Sequence, residues 1–281
     1  MKIVVTGARG KLGAAAVTYA RQQGAEVLEV DRLPYQIGSG PLGQYISADL
    51  TDLGQVYDVL HGADAVIHLA AIVSQRLVPS ARTFQTNTSI TWNVFEAAAR
   101  LGITRVVSAS SIQINSTVTP RTPLRYEYLP LDEDHPVSPQ DDYGMAKLVG
   151  EQLATMFSAH WGLTTVSFRF PWIVSADEFA ELPRREAPRP EAALYAYLHI
   201  DDAARACYLA ATAALPPRSH TVLFAAAPDS YLDLPSLEYV RAAFPAAAIR
   251  PGLEEYGALV SSRRAASVIG FVPERVLRQT Q

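Results

Sequence analysis

The feature that most constrains this chain is its opening. A short β-branched run, Ile3 to Thr6, breaks into Gly7-Ala8-Arg9-Gly10-Lys11-Leu12-Gly13, and an amphipathic stretch follows from Lys11 to Gln23, with Gly24 as its stop. A second apolar run, Val27 to Val30, comes next. Strand, helix and strand within about thirty residues is the unit whose short turn folds a helix back onto parallel strands. The alternation continues. Tyr45–Ala48, Ala65–His68, Arg105–Ala109 and Thr164–Arg169 read as further strands, and Thr83–Leu101 and Asp142–His160 as helices. The strands are short apolar runs, as buried parallel strands should be. Residues 1–170 therefore read as an α/β domain, a doubly wound parallel sheet of the Rossmann kind.

Beyond residue 170 the pattern loosens. Residues 175–198 are rich in proline and charge (PRREAPRPEA) and read as an irregular loop or lid. Asp201–Ala213 and Leu234–Ala243 read as helices and Thr221–Ala225 as a strand. Residues 171–281 are expected to form a small, discontinuous substrate-side subdomain, partly interleaved with the sheet.

The chain has 281 residues, 49% of them hydrophobic, enough to bury a large core. A net charge of −4 offers no footprint for nucleic acid or an anionic membrane. Cys207 is the only cysteine, which rules out an internal disulfide or a multi-cysteine metal site. There is no signal-peptide pattern and no apolar span of membrane length, so a soluble, cytoplasmic protein is expected. Lysine is scarce beside arginine: Lys2, Lys11 and Lys147 are the only three.

The glycine loop sits between strand and helix, where a helix N-terminus presents unpaired N–H groups to a pyrophosphate. Gly7, Arg9, Gly10, Lys11, Leu12 and Gly13 are thus candidate dinucleotide contacts. Asp31 ends the second strand, where a carboxylate would accept from ribose hydroxyls. It disfavours a 2′-phosphate and so favours NAD, whereas Arg32 and Arg9 offer a partner to NADP. Asp49 and Leu50 could meet the adenine, or Asp49 could cap a following helix. Leu69, Ala70 and Ala71, small groups after the fourth strand, leave room for the cofactor, and His68 reads as a core histidine.

Tyr143 and Lys147 are four residues apart on a helix, hence on one face. A phenol is a poor base at neutral pH, but a neighbouring ammonium favours its ionised form. Tyr143 can then move a proton at a substrate hydroxyl or carbonyl, Lys147 can activate it and hold the nicotinamide ribose, and Ser110 or Ser111 can orient the reacting oxygen.

Taken together, these residues resemble the extended short-chain dehydrogenase/reductases, the NAD-dependent epimerase/dehydratase family, in its compact form. The resemblance runs from Met1 to about Leu209. It rests on Thr6-Gly7 with the glycine loop, Asp31, Asp49-Leu50, His68 to Ala71, Asn87, Asn93 to Ala98, Ser110-Ser111, Pro139 with Tyr143, Lys147 and Glu151, and His199 to Ala206. It implies that Ser111 orients substrate, Tyr143 is the acid/base and Lys147 its activator. It further implies that Pro171 meets the nicotinamide, that Asn87, His199 and Asp202 are structural, and that two long helices pair in a homodimer.

Ile112-Gln113 after Ser111 lacks the Asp-Glu pair that eliminates water in sugar-nucleotide dehydratases, which sets that reaction aside. Two enzyme readings remain beside a general sugar dehydrogenase or reductase: a nucleotide-sugar 4-epimerase, and a uronate-dehydrogenase-like enzyme acting on a free sugar acid. In the last, Ser74, Gln113 and Arg169 would hold the small-molecule substrate, Arg169 by a two-point contact to a carboxylate. The competing reading of Arg169 is a salt bridge at a strand end. A non-catalytic NAD(P)-sensing regulator is the alternative of another class.

Overall fold

A computed structural model of the chain describes residues 1–34, 43–73, 78–115, 120–182 and 193–278. The opening unit forms as expected: β1 (Lys2–Thr6), α1 (Lys11–Gln22) and β2 (Glu26–Asp31). Then come β3 (Tyr45–Ser47), α2 (Leu53–Leu60), β4 (Ala65–His68), α3 (Ser80–Arg100), β5 (Arg105–Ser111), β6 (Tyr128–Leu129), α4 (Asp142–Trp161) and β7 (Thr164–Phe170). The remaining elements are β8 (Trp172–Val174), α5 (Ala176–Ala180), β9 (Tyr197–His199), α6 (Ile200–Thr212), β10 (His220–Phe224), α7 (Ser236–Ala243), β11 (Ala248–Ile249) and α8 (Arg263–Ile269).

Seven strands form one sheet in the order β10-β7-β5-β4-β1-β2-β3, and every neighbouring pair is parallel. Strand order reverses between β1 and β4, which opens a crevice at the carboxyl ends of these strands. The period of a strand divides β1 between two cores. Ile3 and Val5 pack with Ala16 and Val17 of α1 and Ala203 and Ala206 of α6 on one face. Val4 packs with Val56, Val94, Phe95 and Phe157 from α2, α3 and α4 on the other. Helices cover both faces, which explains why the strands are uninterrupted apolar runs rather than alternating ones.

A third core forms the cap beside the crevice, where Tyr195, Tyr197, Tyr231, Tyr239 and Phe244 pack edge to face. The chain crosses between sheet and cap in both directions. β10 completes the sheet from beyond residue 170, while Tyr126, Leu129 and Leu131 pack in the cap.

Of residues 175–198, expected as an irregular loop or lid, the proline- and charge-rich stretch 183–192 that carried the expectation lies outside the described residues. The described part contains α5, opened by a capping box between Ser175 and Glu178, and β9, which pairs with β8. A helix of five residues and a strand of three are too short to leave a period in the sequence. The chain enters β9 through left-handed Leu194 and Tyr195 (φ 58° and 50°), both fully buried. Burial of two large side chains offsets the backbone strain of that turn. Among the described residues no helix is long and apolar enough to cross a membrane.

Candidate functional site

The glycine loop joins β1 to α1 at the crevice. Gly7 adopts φ +71°, and a Cβ there would lie 2.7 Å from the backbone nitrogen of Ala70. A Cβ on Gly13 would lie 2.0 Å from the carbonyl oxygen of Gly7, so only glycine lets α1 start this close to the loop. Gly10 differs: an added Cβ meets nothing but the Gly7 oxygen at 3.1 Å. It occupies the N-cap of α1 with no side-chain cap, and the first turn carries no acidic residue. The loop is therefore tight within and uncapped at its helix end, the arrangement that fits a pyrophosphate on backbone N–H groups.

Asp31 reaches this loop from β2. Its Oδ2 accepts from the Arg9 N–H at 3.0 Å and its Oδ1 from the Leu33 N–H at 3.2 Å. The Arg9 guanidinium lies 4.4 Å from the centre of the Tyr45 ring, and Arg32 is exposed. Thr6 pins the facing loop: Leu69 N–H donates to its carbonyl at 3.1 Å and its hydroxyl contacts His68 Nδ1 at 2.8 Å. Burial drives the His68 pKa down to about 3, so the imidazole is neutral, as a core histidine should be. Asn87 closes the next step, exchanging two hydrogen bonds with the backbone of Ile72.

Other expected cofactor residues lie differently. Leu50 is buried in the core, its carbonyl held by Asn93. Asp49 turns onto the Thr51 N–H and hydroxyl, and it does not cap α2. That cap is Asp52, which accepts from Gly54 and Gln55 because it stands directly before the first helical residue. Lys11 sends its Nζ across the crevice to Ile173 O at 2.8 Å and to the carboxylate of Glu178. Pro171 is buried between β7 and β8. Ser74 lies outside the described residues.

The second half of the site stands at the end of β5. Asp141 caps α4 by accepting from the Gly144 N–H at 2.6 Å. A Cβ on Gly144 would approach the Gln113 carbonyl to 2.6 Å, so glycine lets α4 dock on the turn that follows Ser111. That docking brings Tyr143 into a hydrogen bond with Ser111, whose Oγ also accepts from the Gln113 N–H at 3.2 Å. Lys147 Nζ donates to Ala109 O at 2.6 Å and lies 5.5 Å from the centre of the Tyr143 ring. Burial pushes the Tyr143 phenol up to about 12, against the Ser111 hydrogen bond and with help from Asp141; burial also brings Lys147 down to about 8. The structure thus brings Ser111, Tyr143 and Lys147 together.

Arg169 is not available for a substrate carboxylate. Its Nε and Nη2 grip the two oxygens of Glu151 at 2.9 and 2.8 Å, and its Nη1 donates to Asn115 at 3.2 Å, so the two-point contact is internal. The salt-bridge reading is the one realised. Gln113 stays half-buried beside Ser111. His199 and Asp202 are structural: Asp202 accepts from the Glu274 and Arg275 N–H groups and from Arg205. Sequence reasoning missed Glu178 as the partner of Lys11 and Glu151 as the partner of Arg169. The S-x-x-E spacing of Ser175 and Glu178 is a signal that could have marked a helix start there, though not the contact with Lys11.

A family model described as NAD dependent epimerase/dehydratase family matches residues 3–222. A uronate dehydrogenase of Pseudomonas putida is 31% identical over 60% of this chain, and the match spans only 59% of that protein's length. An L-arabinose 1-dehydrogenase (NAD(P)(+)) of Haloferax volcanii is 28% identical over 83% of this chain and 91% of its own. Among solved structures, MoeE5 in complex with UDP-glucuronic acid and NAD superposes with a TM-score of 0.70 at 25% identity, covering 99% of this chain and 95% of that one. The parallel sheet is thus that of an NAD-binding fold, and the chain belongs to the NAD dependent epimerase/dehydratase family.

Proposed function

We propose that the protein is an NAD-linked oxidoreductase that acts at a secondary alcohol of a sugar or sugar-like small molecule, with Tyr143 as acid/base. The observation that carries this reading is the convergence of Ser111, Tyr143 and Lys147 at the carboxyl end of β5, beside the glycine-loop crevice. NAD, when bound, would supply the hydride acceptor or, reduced, the donor, and its oxidised ring would add a positive charge that favours phenolate at Tyr143. Gly7, Gly10 and Gly13 would hold its pyrophosphate, Asp31 its ribose and Lys147 the nicotinamide ribose. Ser111 orients the substrate oxygen while Tyr143 takes its proton, or returns one. The burial that pushes Tyr143 up to about 12 makes the neighbouring lysine ammonium necessary for that step near neutral pH. Replacing the phenol, as in Tyr143→Phe, should lower turnover by about 10²–10⁴-fold while NAD still binds. Turnover at the wild-type rate would overturn the assignment, and no turnover in the wild type across sugars, uronates and UDP-sugars would favour an NAD-sensing regulator.

Of the enzyme readings, oxidation of a free sugar or sugar acid is favoured by the uronate and arabinose dehydrogenases among the relatives. The likeness to a UDP-glucuronic acid complex favours the second, a nucleotide-sugar epimerase. A protein that purifies with tightly held NAD and is thermally stabilised by a UDP-sugar would decide for the epimerase. Gln113, beside Ser111, is the proposed substrate contact. The proposed assembly is a homodimer through α3 and α4, on which Trp92, Met145 and Trp161 stay 43%, 45% and 41% exposed.

A further inference from the structure

Behind Lys147 lies a small polar cavity that includes Ser108 and Ser110 of β5, Ser167 of β7 and His68, with Lys147 and Glu151 facing it from α4. Lys147 and Glu151 are one helical turn apart, on the same face. Glu151 Oε1 accepts from Ser110 Oγ at 2.6 Å, and both its oxygens are held by Arg169. The side chains of Glu151 and Arg169 are each only 5% exposed. Arg169 in turn holds Asn115, whose N–H closes the turn carrying Gln113. One carboxylate therefore ties together α4, the end of β5, β7 and the turn after Ser111, all behind the reacting groups.

The acid/base chemistry proposed above makes no use of this pair. A buried ion pair is weak evidence for stability, since apolar groups of like volume often pack as well. What an apolar pair would not supply is an acceptor for Ser110, the residue joined to Ser111. We propose that Glu151 is a positioning residue for the Ser111–Tyr143–Lys147 centre, holding the end of β5 on α4 and offsetting the charge of Arg169. The inference rests on the reading of Tyr143 as acid/base.

Among the described residues, the groups facing this centre are Glu151 on α4, Asp141 at its cap, Arg169 on β7, His68 on β4 and His220 on β10. Burial holds His68 down at about 3 and His220 at about 4, so both are neutral near pH 7. The charge balance then rests on Glu151, Asp141 and Arg169. Removing the Glu151 charge leaves Arg169 unpaired, because a guanidinium does not deprotonate in proteins. An unpaired cation there favours phenolate at Tyr143.

The test is the pH dependence of kcat for the full-length protein with saturating NAD and its best substrate. In Glu151→Gln the acid limb should move down by about one pH unit and kcat should fall about tenfold, with KM for NAD changed less than about threefold. The pair replacement Glu151→Gln with Arg169→Met should return the limb to its wild-type position while kcat stays low. Glu151→Asp, which keeps the charge and is the safer variant to fold, should lower kcat and leave the limb in place. A wild-type limb in Glu151→Gln, a limb still displaced in the double variant, or a displaced limb in Glu151→Asp would overturn the proposal. Tyr143→Phe in parallel separates the two claims: if it turns over normally the acid/base reading fails, whereas an inactive Tyr143→Phe with an unmoved Glu151→Gln profile sinks only the positioning role.

Discussion

Gly13→Ala tests the glycine loop most sharply. The added Cβ would stand 2.0 Å from Gly7 O, 2.7 Å from Gly7 C and 2.9 Å from Ala8 Cα, all backbone atoms. Ordinary contact begins at 3.4 Å, so loop and helix must separate by about 1.4 Å. No flexible side chain can yield, and α1 cannot recede freely because Ala16, Val17 and Ala20 are buried against the sheet and α6. Overpacking of this kind costs about 3 kcal/mol, the upper end of the usual range. For a chain of this size that is a loss of about 5–10 °C in Tm. The displaced N–H groups should also weaken NAD binding by at least about tenfold. Gly10→Ala is the control. Its Cβ meets only Gly7 O, at 3.1 Å, so stability should fall by only about 1 kcal/mol, for the lost N-cap glycine, while NAD binding weakens as strongly. Differential scanning fluorimetry and titration calorimetry read both quantities. A Gly13→Ala protein with wild-type Tm and affinity would refute the reasoning.

Three further outcomes follow from the geometry. His68 and His220 have folded-state pKa values depressed to about 3 and about 4, so stability present above the unfolded value of 6.5 should be lost as pH falls through that window; His68→Asn should flatten the dependence of Tm on pH below 6.5. Glu178→Gln removes an exposed ion pair between α5 and the glycine loop and should speed release of NADH in stopped-flow fluorescence by about two- to fivefold, with added salt reproducing the effect in the wild type. Trp161→Glu on the outer surface of α4 should convert the proposed dimer to monomer in analytical ultracentrifugation with little change in Tm.

The parallel α/β fold was legible because its signals are local. β1, α1 and β2 are marked by a run of apolar residues, a glycine loop and a helical period, and the structure places them within one residue of those limits. Tyr143 and Lys147 were legible for the same reason, since a spacing of four decides that two side chains share a helix face. Arg169 was not legible in this way. Its two readings, substrate carboxylate or internal salt bridge, differ only in whether Glu151 on another element comes within reach. Asp49 was similarly ambiguous, because a one-turn shift in where α2 begins moves the cap to Asp52.

The sequence by itself determined a parallel doubly wound sheet, a glycine loop after its first strand and a Tyr–Lys pair one turn apart. Each is set by steric or periodic rules acting over a few residues. Only the tertiary structure decided that Glu151 holds Arg169 and Ser110, that Lys11 reaches Glu178 across 167 positions, and that the loop after residue 174 contains a capped helix and a strand. Partners so far apart meet because the layers of the fold stack them, and no local pattern in the chain encodes that meeting.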